Sequence, residues 1–243
     1  PIVKPIEFSG DSGLPIEPYL LGVCLGDGHI KNSSVKVDIH KDDFEEVFKG
    51  QLINEFKSHR NVRSCNIKLG ESLKELNLNQ TRSHTKFIPD IYKYSSIEDR
   101  VSILQGLMDT DGHCMKSKKG NFTGTEYCTV SEQLADDVAE IVHSLGGIVR
   151  KKSRVPTYHY KGDKKEGKRA YRLNIKFSND INPFRLKRKS DEYLEPKKYK
   201  VGRYIKDIRL EKQGESVCIQ VSSEDHLYVT DHGIVTHNTY QSI

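Results

Sequence analysis

Tyr19-Leu20-Leu21-Gly22-Val23-Cys24-Leu25-Gly26-Asp27-Gly28-His29 returns as Ile103-Leu104-Gln105-Gly106-Leu107-Met108-Asp109-Thr110-Asp111-Gly112-His113, with an offset of 84 residues from Asp27 to Asp111. A duplicated run of this kind implies two half-domains. Each copy is apolar, helix-compatible and stops at Asp-Gly, where glycine is expected to close the helix in the left-handed conformation. Gly22 and Gly106 lie in mid-run, where glycine costs about 1 kcal/mol relative to alanine. Bearing that cost twice makes sense if the two helices pack against each other at very short range. Asp27 and Asp111 then become neighbours at one end of the pair, where the helix dipole and their mutual repulsion disfavour both carboxylates. A divalent cation reverses that sign. Mg²⁺ held by Asp27 and Asp111 and shared with phosphate oxygens is a common arrangement for phosphodiester hydrolysis. Mn²⁺ is the alternative ion, and the backbone carbonyls of Gly26 and Thr110 are further candidate ligands.

Outward from each run the pattern changes from helix to strand and back. In the first half, Val35, Val37 and Ile39 alternate with polar residues over 35–40, and 44–56 reads as an amphipathic helix. In the second, 126–131 reads as a strand and 134–145 as a helix stopped by Gly146 and Gly147. Strands are expected over 148–154 and 172–178, joined by a Gly- and Lys-rich turn around 162–167. In the latter strand Tyr171, Leu173, Ile175 and Phe177 share one face, while Arg172, Asn174, Lys176 and Ser178 share the other. Residues 150–169 carry nine basic side chains against two acidic ones, more than the net +5 of the whole chain. With Tyr158, His159 and Tyr160 interleaved, that stretch reads as a hairpin lying along DNA, set against a solvated loop as the plainer account. Residues 185–200 read as helix plus connector broken by Pro196, and 216–238 as a β-type segment with tight polar turns.

Composition bounds the rest. A chain of 243 residues with 35% hydrophobic and 30% charged content can form two modest cores, and the fibrous and disordered classes are excluded. Mean hydropathy is −0.65, and no apolar run approaches the roughly 18 residues of a membrane span, so no membrane partner and a cytoplasmic location are expected. The sequence pI near 8.8 favours polyanionic partners. The five cysteines (24, 65, 114, 128, 218) are odd in number and scattered. They read as reduced thiols, with Cys24 a small buried hydrophobe.

The two runs, taken as 20–28 and 104–112, resemble the paired motifs of LAGLIDADG homing endonucleases. The resemblance covers about 15–189. It implies an α+β fold of two pseudo-symmetric αββαββα halves whose sheets form a saddle on double-stranded DNA, acting as a monomer. It assigns the catalytic metal to Asp27 and Asp111. The sixth motif position is acidic only in the second copy, which makes Asp109 a helix-end or interface residue. Lys86, in Thr85-Lys86-Phe87-Ile88-Pro89, matches the family's basic residue before the Ile-Pro step, with Lys176 as its expected counterpart. Either lysine could stabilise charge developing on the phosphate or polarise a water. His29 and His113 come after the motifs symmetrically, as substrate neighbours or as plain polar residues. The expected DNA contacts are Arg150, Lys151, Lys152, Arg154, Lys161, Lys164, Lys165, Arg169, Arg172 and Asn174.

Near the C-terminus, Cys218-Ile219-Gln220-Val221, Asp225-His226-Leu227-Tyr228-Val229-Thr230 and Gly233-Ile234-Val235-Thr236-His237-Asn238-Thr239 resemble the C-terminal splicing blocks of inteins, parts of the Hint fold. The resemblance assigns cyclisation to Asn238, assistance to His226 and His237, and the first extein residue to Thr239. Residues 239–243 resemble the stretch immediately after Gly-Lys in a P-loop, which points to a helicase or ATPase as host. The expected division is 1–16 as the tail of an N-terminal splicing region, 17–96 and 97–190 as endonuclease halves, 191–215 as connector, 216–238 as splicing segment and 239–243 as extein. A missing N-terminal intein piece is the expected partner for splicing. Three readings result: an intein-borne endonuclease, favoured by the presence of both aspartates; an inert DNA-binding insert whose only chemistry is splicing; and an RNA-binding maturase, disfavoured by the intein-like terminus because maturases act on introns.

Overall fold

A computed structural model describes residues 3–8, 13–51, 55–120, 122–178, 180–193, 202–210 and 219–237. Its centre is the pair of duplicated runs. Helix α1 (Pro18–Gly26) starts on Glu17, whose carboxylate accepts from the Tyr19 and Leu20 amides, with proline in the first turn. The later helix of the pair, α5 (Ile97–Asp111), starts on Ser96, which accepts from the Asp99 amide while donating to its carboxylate. The two cross backbone to backbone. A Cβ added to Gly22 would lie 2.3 Å from the Ile103 carbonyl oxygen, and one on Gly106 would lie 2.2 Å from that of Tyr19. No side chain of any size fits, which is why both glycines are needed.

The helix ends differ from the expectation. Neither Gly28 nor Gly112 is left-handed; Gly112 caps α5 at φ −101° and ψ 157°, and each glycine opens a strand. A Cβ at Gly28 would lie 2.1 Å from the Cys24 carbonyl oxygen, and one at Gly112 2.6 Å from that of Met108. Close approach selects glycine here, and backbone handedness does not.

In the first half, β1 (Gly28–Lys31), β2 (Ser34–His40), β3 (Glu55–His59) and β4 (Val62–Lys68) form an antiparallel sheet of order β1-β2-β4-β3. In the second, β5 (Gly112–Lys116), β6 (Phe122–Thr129), β7 (Gly147–Arg154) and β10 (Ala170–Phe177) form one of order β5-β6-β10-β7. The strand orders coincide once the separate hairpin of β8 (Thr157–Tyr160) and β9 (Asp163–Glu166), inserted between β7 and β10, is set aside. A mixed α and β architecture with antiparallel sheets is compatible with a LAGLIDADG-like fold. Apolar faces such as Val35, Val37 and Ile39, and Leu173, Ile175 and Phe177, turn inward to one core that includes Leu21, Val23, Leu104 and Leu107.

The helix expected over 44–56 is instead the single turn α2 (Phe44–Val47). Phe44, Val47 and Phe48 are buried, but Gly50 turns the chain at φ +80° and strand β3 comes next. Short helices α3 (Gly70–Glu75) and α4 (Asp90–Lys93) complete the first half. The second has α6 (Glu132–Ser144), amphipathic as expected, and α7 (Lys187–Tyr193). Among the described residues, β11 (Leu227–Thr230) and β12 (Ile234–His237) form an isolated hairpin around the turn Asp231–Gly233. Among them, too, no helix is long and apolar enough to cross a membrane.

The segments flanking this body meet on α6. The Ile6 amide donates to the Ser144 carbonyl at 2.8 Å. Fully buried Arg100 ties the two together: its guanidinium donates to Ser144 Oγ at 2.6 Å and to the Ile6 carbonyl, and lies 4.6 Å from the Phe8 ring centroid. From the other side the His232 and His143 rings meet edge-on at 5.7 Å. Burial, Arg203 and His232 together push the His143 imidazole down to about 4.

Candidate active site and nucleic-acid interface

A buried lysine closes the C-terminal end of each central helix. Lys86 Nζ donates to the carbonyls of Leu25, Gly26 and Gly28 at 2.7, 2.9 and 2.8 Å. Lys189 Nζ, from α7, donates to those of Met108, Asp109 and Gly112 at 2.9, 2.6 and 2.7 Å. With the 84-residue offset, Leu25 corresponds to Asp109 and Gly28 to Gly112, so the two ammonium groups occupy matching places. The counterpart of Lys86 is therefore Lys189, and the expected Lys176 is an exposed residue on the polar face of β10. Each ammonium satisfies carbonyls that a helix end leaves orphaned, and each sits where the dipole favours a cation. Burial lowers both pKa values, opposed chiefly by Asp111 for Lys86 and by Asp109 for Lys189. One consequence touches the expected ligand set: the Gly26 carbonyl is already engaged by Lys86.

Asp27 and Asp111 stand at these two ends. Asp27 is exposed, yet the surrounding protein raises its pKa by desolvation, opposed by Lys86 and Lys189. Asp111 is half-buried and pushed up to about 6, first by burial and next by the charge of Asp27. Asp111 thus feels the charge of Asp27 at the neighbouring helix end. Among the described residues no group of three or more His, Cys, Asp or Glu is placed to hold a metal ion. A pair of carboxylates open to solvent on one side suits an ion that keeps several waters and takes further oxygens from a phosphate, as Mg²⁺ does.

Asp109 points elsewhere. One of its oxygens accepts from the Tyr19 hydroxyl at 2.9 Å and from the Arg185 and Leu186 amides at 3.1 and 3.0 Å. It ties α1 to the chain leading into α7 and so helps to place Lys189. Cys24 is fully buried, and its thiol is pushed up to about 12, an inert core residue.

Lys86 is also gripped from behind. Its own carbonyl accepts from Ser131 Oγ at 2.6 Å, and the Ile88 amide donates to Asp137 at 2.8 Å, so α6 of the second half fixes the lysine that caps the first.

Strand register defines the polar sheet faces. Across the second sheet one row runs His113, Glu126, Asn174, Arg150, and the next Cys128, Arg172, Lys152. Asn174 Nδ2 donates to Glu126 at 3.2 Å, and Arg172 lies 3.5 Å from the same carboxylate. Arg154, opposite Ala170, shares this face. Lys151 does not: it turns to the helix side, 2.5 Å from Asp136 of α6 and over the Tyr171 ring. Arg169 reaches Ser153 at 3.3 Å. Lys161, Lys164 and Lys165 are carried by the exposed β8–β9 hairpin, where Lys161 and Lys165 lie 5.6 and 4.9 Å from the Tyr160 ring centroid.

The corresponding rows of the first sheet hold His29, Lys36, Asn66 and Lys31, Ser34, Lys68. These residues are absent from the expected DNA contacts, although the alternation over 35–40 already placed Lys36 opposite the apolar face. An open cleft of about 990 Å³ adjoins Asp27, bounded by β1, Lys86, residues 79–84 and Lys168 from the second half. Of the splicing residues, His226 and His237 have ring centroids 6.1 Å apart, and His226 is left-handed at φ +52°. Asn238 and Thr239 lie outside the described residues.

Comparison with known proteins adds a family match for part of the sequence. Residues 98–186 match the family model for a LAGLIDADG-like domain, a span containing all but the first residue of α5, Asp111 and the whole second sheet. The match supports the homing endonuclease family, and LAGLIDADG domains are generally nucleases that bind DNA. The chain is similar to a replicative DNA helicase DnaB from Mycobacterium intracellulare, 28% identical over 231 residues, which is 92% of this chain and 35% of that protein. It is also similar to an ATP-dependent DNA helicase Hel308 from Thermococcus kodakarensis, 28% identical over 141 residues, 52% of this chain and 12% of that protein. The chain thus spans about a third of the one relative and about an eighth of the other.

Proposed function

We infer that this chain is an intein-borne homing endonuclease that makes a site-specific double-strand break in DNA by metal-dependent phosphodiester hydrolysis. The observation that carries this reading is the pairing of Asp27 and Asp111 at two matched, lysine-capped helix ends, each leading straight into a strand of a sheet with a polar face. Asp27 and Asp111 would hold Mg²⁺, which supplies an activated water and neutralises charge on the leaving oxygen. The protein's own part is to keep two mutually repelling carboxylates in place. Lys86 and Lys189 act as positioning residues that fix the backbone on either side of each aspartate. The sheet faces, with Arg150, Lys152, Arg154, Arg172, Asn174 and the first-half row, seat the duplex as a saddle. Similarity along most of the chain to a helicase much longer than the matched segment favours an intein carried by a helicase host. On this reading 216–238 is the C-terminal splicing segment, with His226 and His237 assisting Asn238 and Thr239 opening the extein, and an N-terminal intein segment is the partner.

Asp27→Asn with Asp111→Asn tests the nuclease. The double variant should bind duplex DNA without metal at least as well as the unsubstituted chain, because two anionic charges facing phosphates are gone. Its cleavage should fall by orders of magnitude. A double variant that cuts at the unsubstituted rate overturns the reading in favour of an inert insert. For splicing, an N-terminal intein segment supplied in trans should give a product ligated at Thr239, and Asn238→Ala should block release of the C-terminal extein.

A further inference from the structure

The cleft beside Asp27 joins the two halves of the molecule in a way the central helix pair does not. It is lined by Asp27 and Lys86 together with His84 from the first half and Lys168 from the second. Asp111 is not part of its lining. His84 Nδ1 and Lys168 Nζ lie 3.0 Å apart, a contact between residues 84 positions distant in the chain. Both side chains are exposed, and among the described residues no carboxylate pairs with either. Arg82 lines the same cleft. Basic groups with no carboxylate ion pair of their own, lining the same cleft as a candidate hydrolytic aspartate, suit a phosphate. With Nδ1 accepting from the ammonium, the ring carries its proton on Nε2 and can donate to an arriving phosphate oxygen, which the ammonium can also reach.

Resting on the endonuclease reading, we propose that His84 and Lys168 form a phosphate clamp, bridging the two halves, that positions one DNA strand in the Asp27 cleft. The clamp is one-sided, since the cleft includes Asp27 and not Asp111. Its loss therefore slows one strand cut more than the other.

The test uses the full chain and a target that it selects from a randomised duplex library, placed in a supercoiled plasmid and, separately, in a duplex labelled on each strand. His84→Ala and Lys168→Ala should each slow cleavage of the same strand by about 10- to 100-fold, the scale expected for a misplaced scissile group. The opposite strand should remain near the unsubstituted rate, so nicked plasmid accumulates. On a mixed-sequence duplex without metal, the double variant should lower the slope of log affinity against log salt by about 0.9 per lost phosphate contact. Equal slowing of both strands, no slowing, or an unchanged salt slope overturns the clamp. Lys168→Gln provides the same readouts with a milder surface change, and thermal unfolding of each variant separates loss of contact from loss of fold. An unsubstituted chain that cuts no selected target refutes the endonuclease reading instead, and the salt slope then decides the phosphate contact by itself.

Discussion

The two helix ends of the central pair share a frame and differ in their surroundings. Behind Asp27 and behind Asp111 a lysine ammonium holds three carbonyls at 2.6–2.9 Å, two of which correspond between the halves. In front, Asp27 opens on a basic cleft, whereas Asp111 is half-buried and pushed up to about 6. The duplicated backbone device thus fixes where the carboxylates sit, and the non-duplicated flanks set how each one titrates and what reaches it.

The hardest way to break the comparison is at the crossing. Gly106→Val would put side-chain atoms into the Tyr19 carbonyl and remove both ends at once. Overpacking against backbone should cost about 3 kcal/mol or more, read as a lowered urea midpoint or loss of folded protein. Next come the caps. Lys86→Met and Lys189→Met each leave buried carbonyls without a donor and should each lower stability by about 1–3 kcal/mol. Similar losses in urea unfolding would support one shared frame, and a cost at one end alone would show that the match is only geometric.

A third measurement separates the ends by pH. The Asp111 pKa, near 6 when folded, exceeds its unfolded value of about 4. The folded state therefore holds the Asp111 proton more tightly, and this residue's contribution to stability falls as pH rises from about 4 to about 6. Asp111→Asn should remove that loss and raise stability at pH 7 by an amount on the order of 1 kcal/mol, reduced by partial exposure. A melting temperature for Asp111→Asn below the unsubstituted value at pH 7 would contradict this. The smallest effect belongs to the sheet face. Lys152→Gln should reduce the salt slope of DNA binding by about 0.9, while Lys151→Gln, on the helix side, should leave it unchanged.

Sequence carried the centre of the molecule well and its edges poorly. The crossing was legible because a mid-helix glycine in both copies has few explanations other than backbone contact. Lys86 stood out because it precedes an Ile-Pro step, but its expected role was contact with the phosphate or a water, and the structure shows it as a buried cap on the carbonyls of Leu25, Gly26 and Gly28. Lys189 was not, since Lys187-Arg188-Lys189 resembles any solvated basic run and only the third residue turns inward beneath Asp109. Lys151 and Lys152 illustrate the same limit: strand alternation separates them, but the register that decides which one faces the helices comes from pairing with β10. The 44–56 helix failed for a local reason, because three buried apolar residues mimic a helical face before Gly50 turns the chain.

The flanking segments leave the two-sheet body side by side, for a Cβ on Gly233 would lie 3.6 Å from Val3 Cγ2 and 3.4 Å from the His143 carbonyl oxygen. Any polypeptide joined through both segments would therefore meet this long insertion as a short gap. Chain entropy then charges for closing a small loop, a cost that grows only logarithmically with loop length even where no such dock exists. For a polypeptide joined at both ends, gain or loss of the body between Val3 and Gly233 would require little rearrangement of what lies outside it.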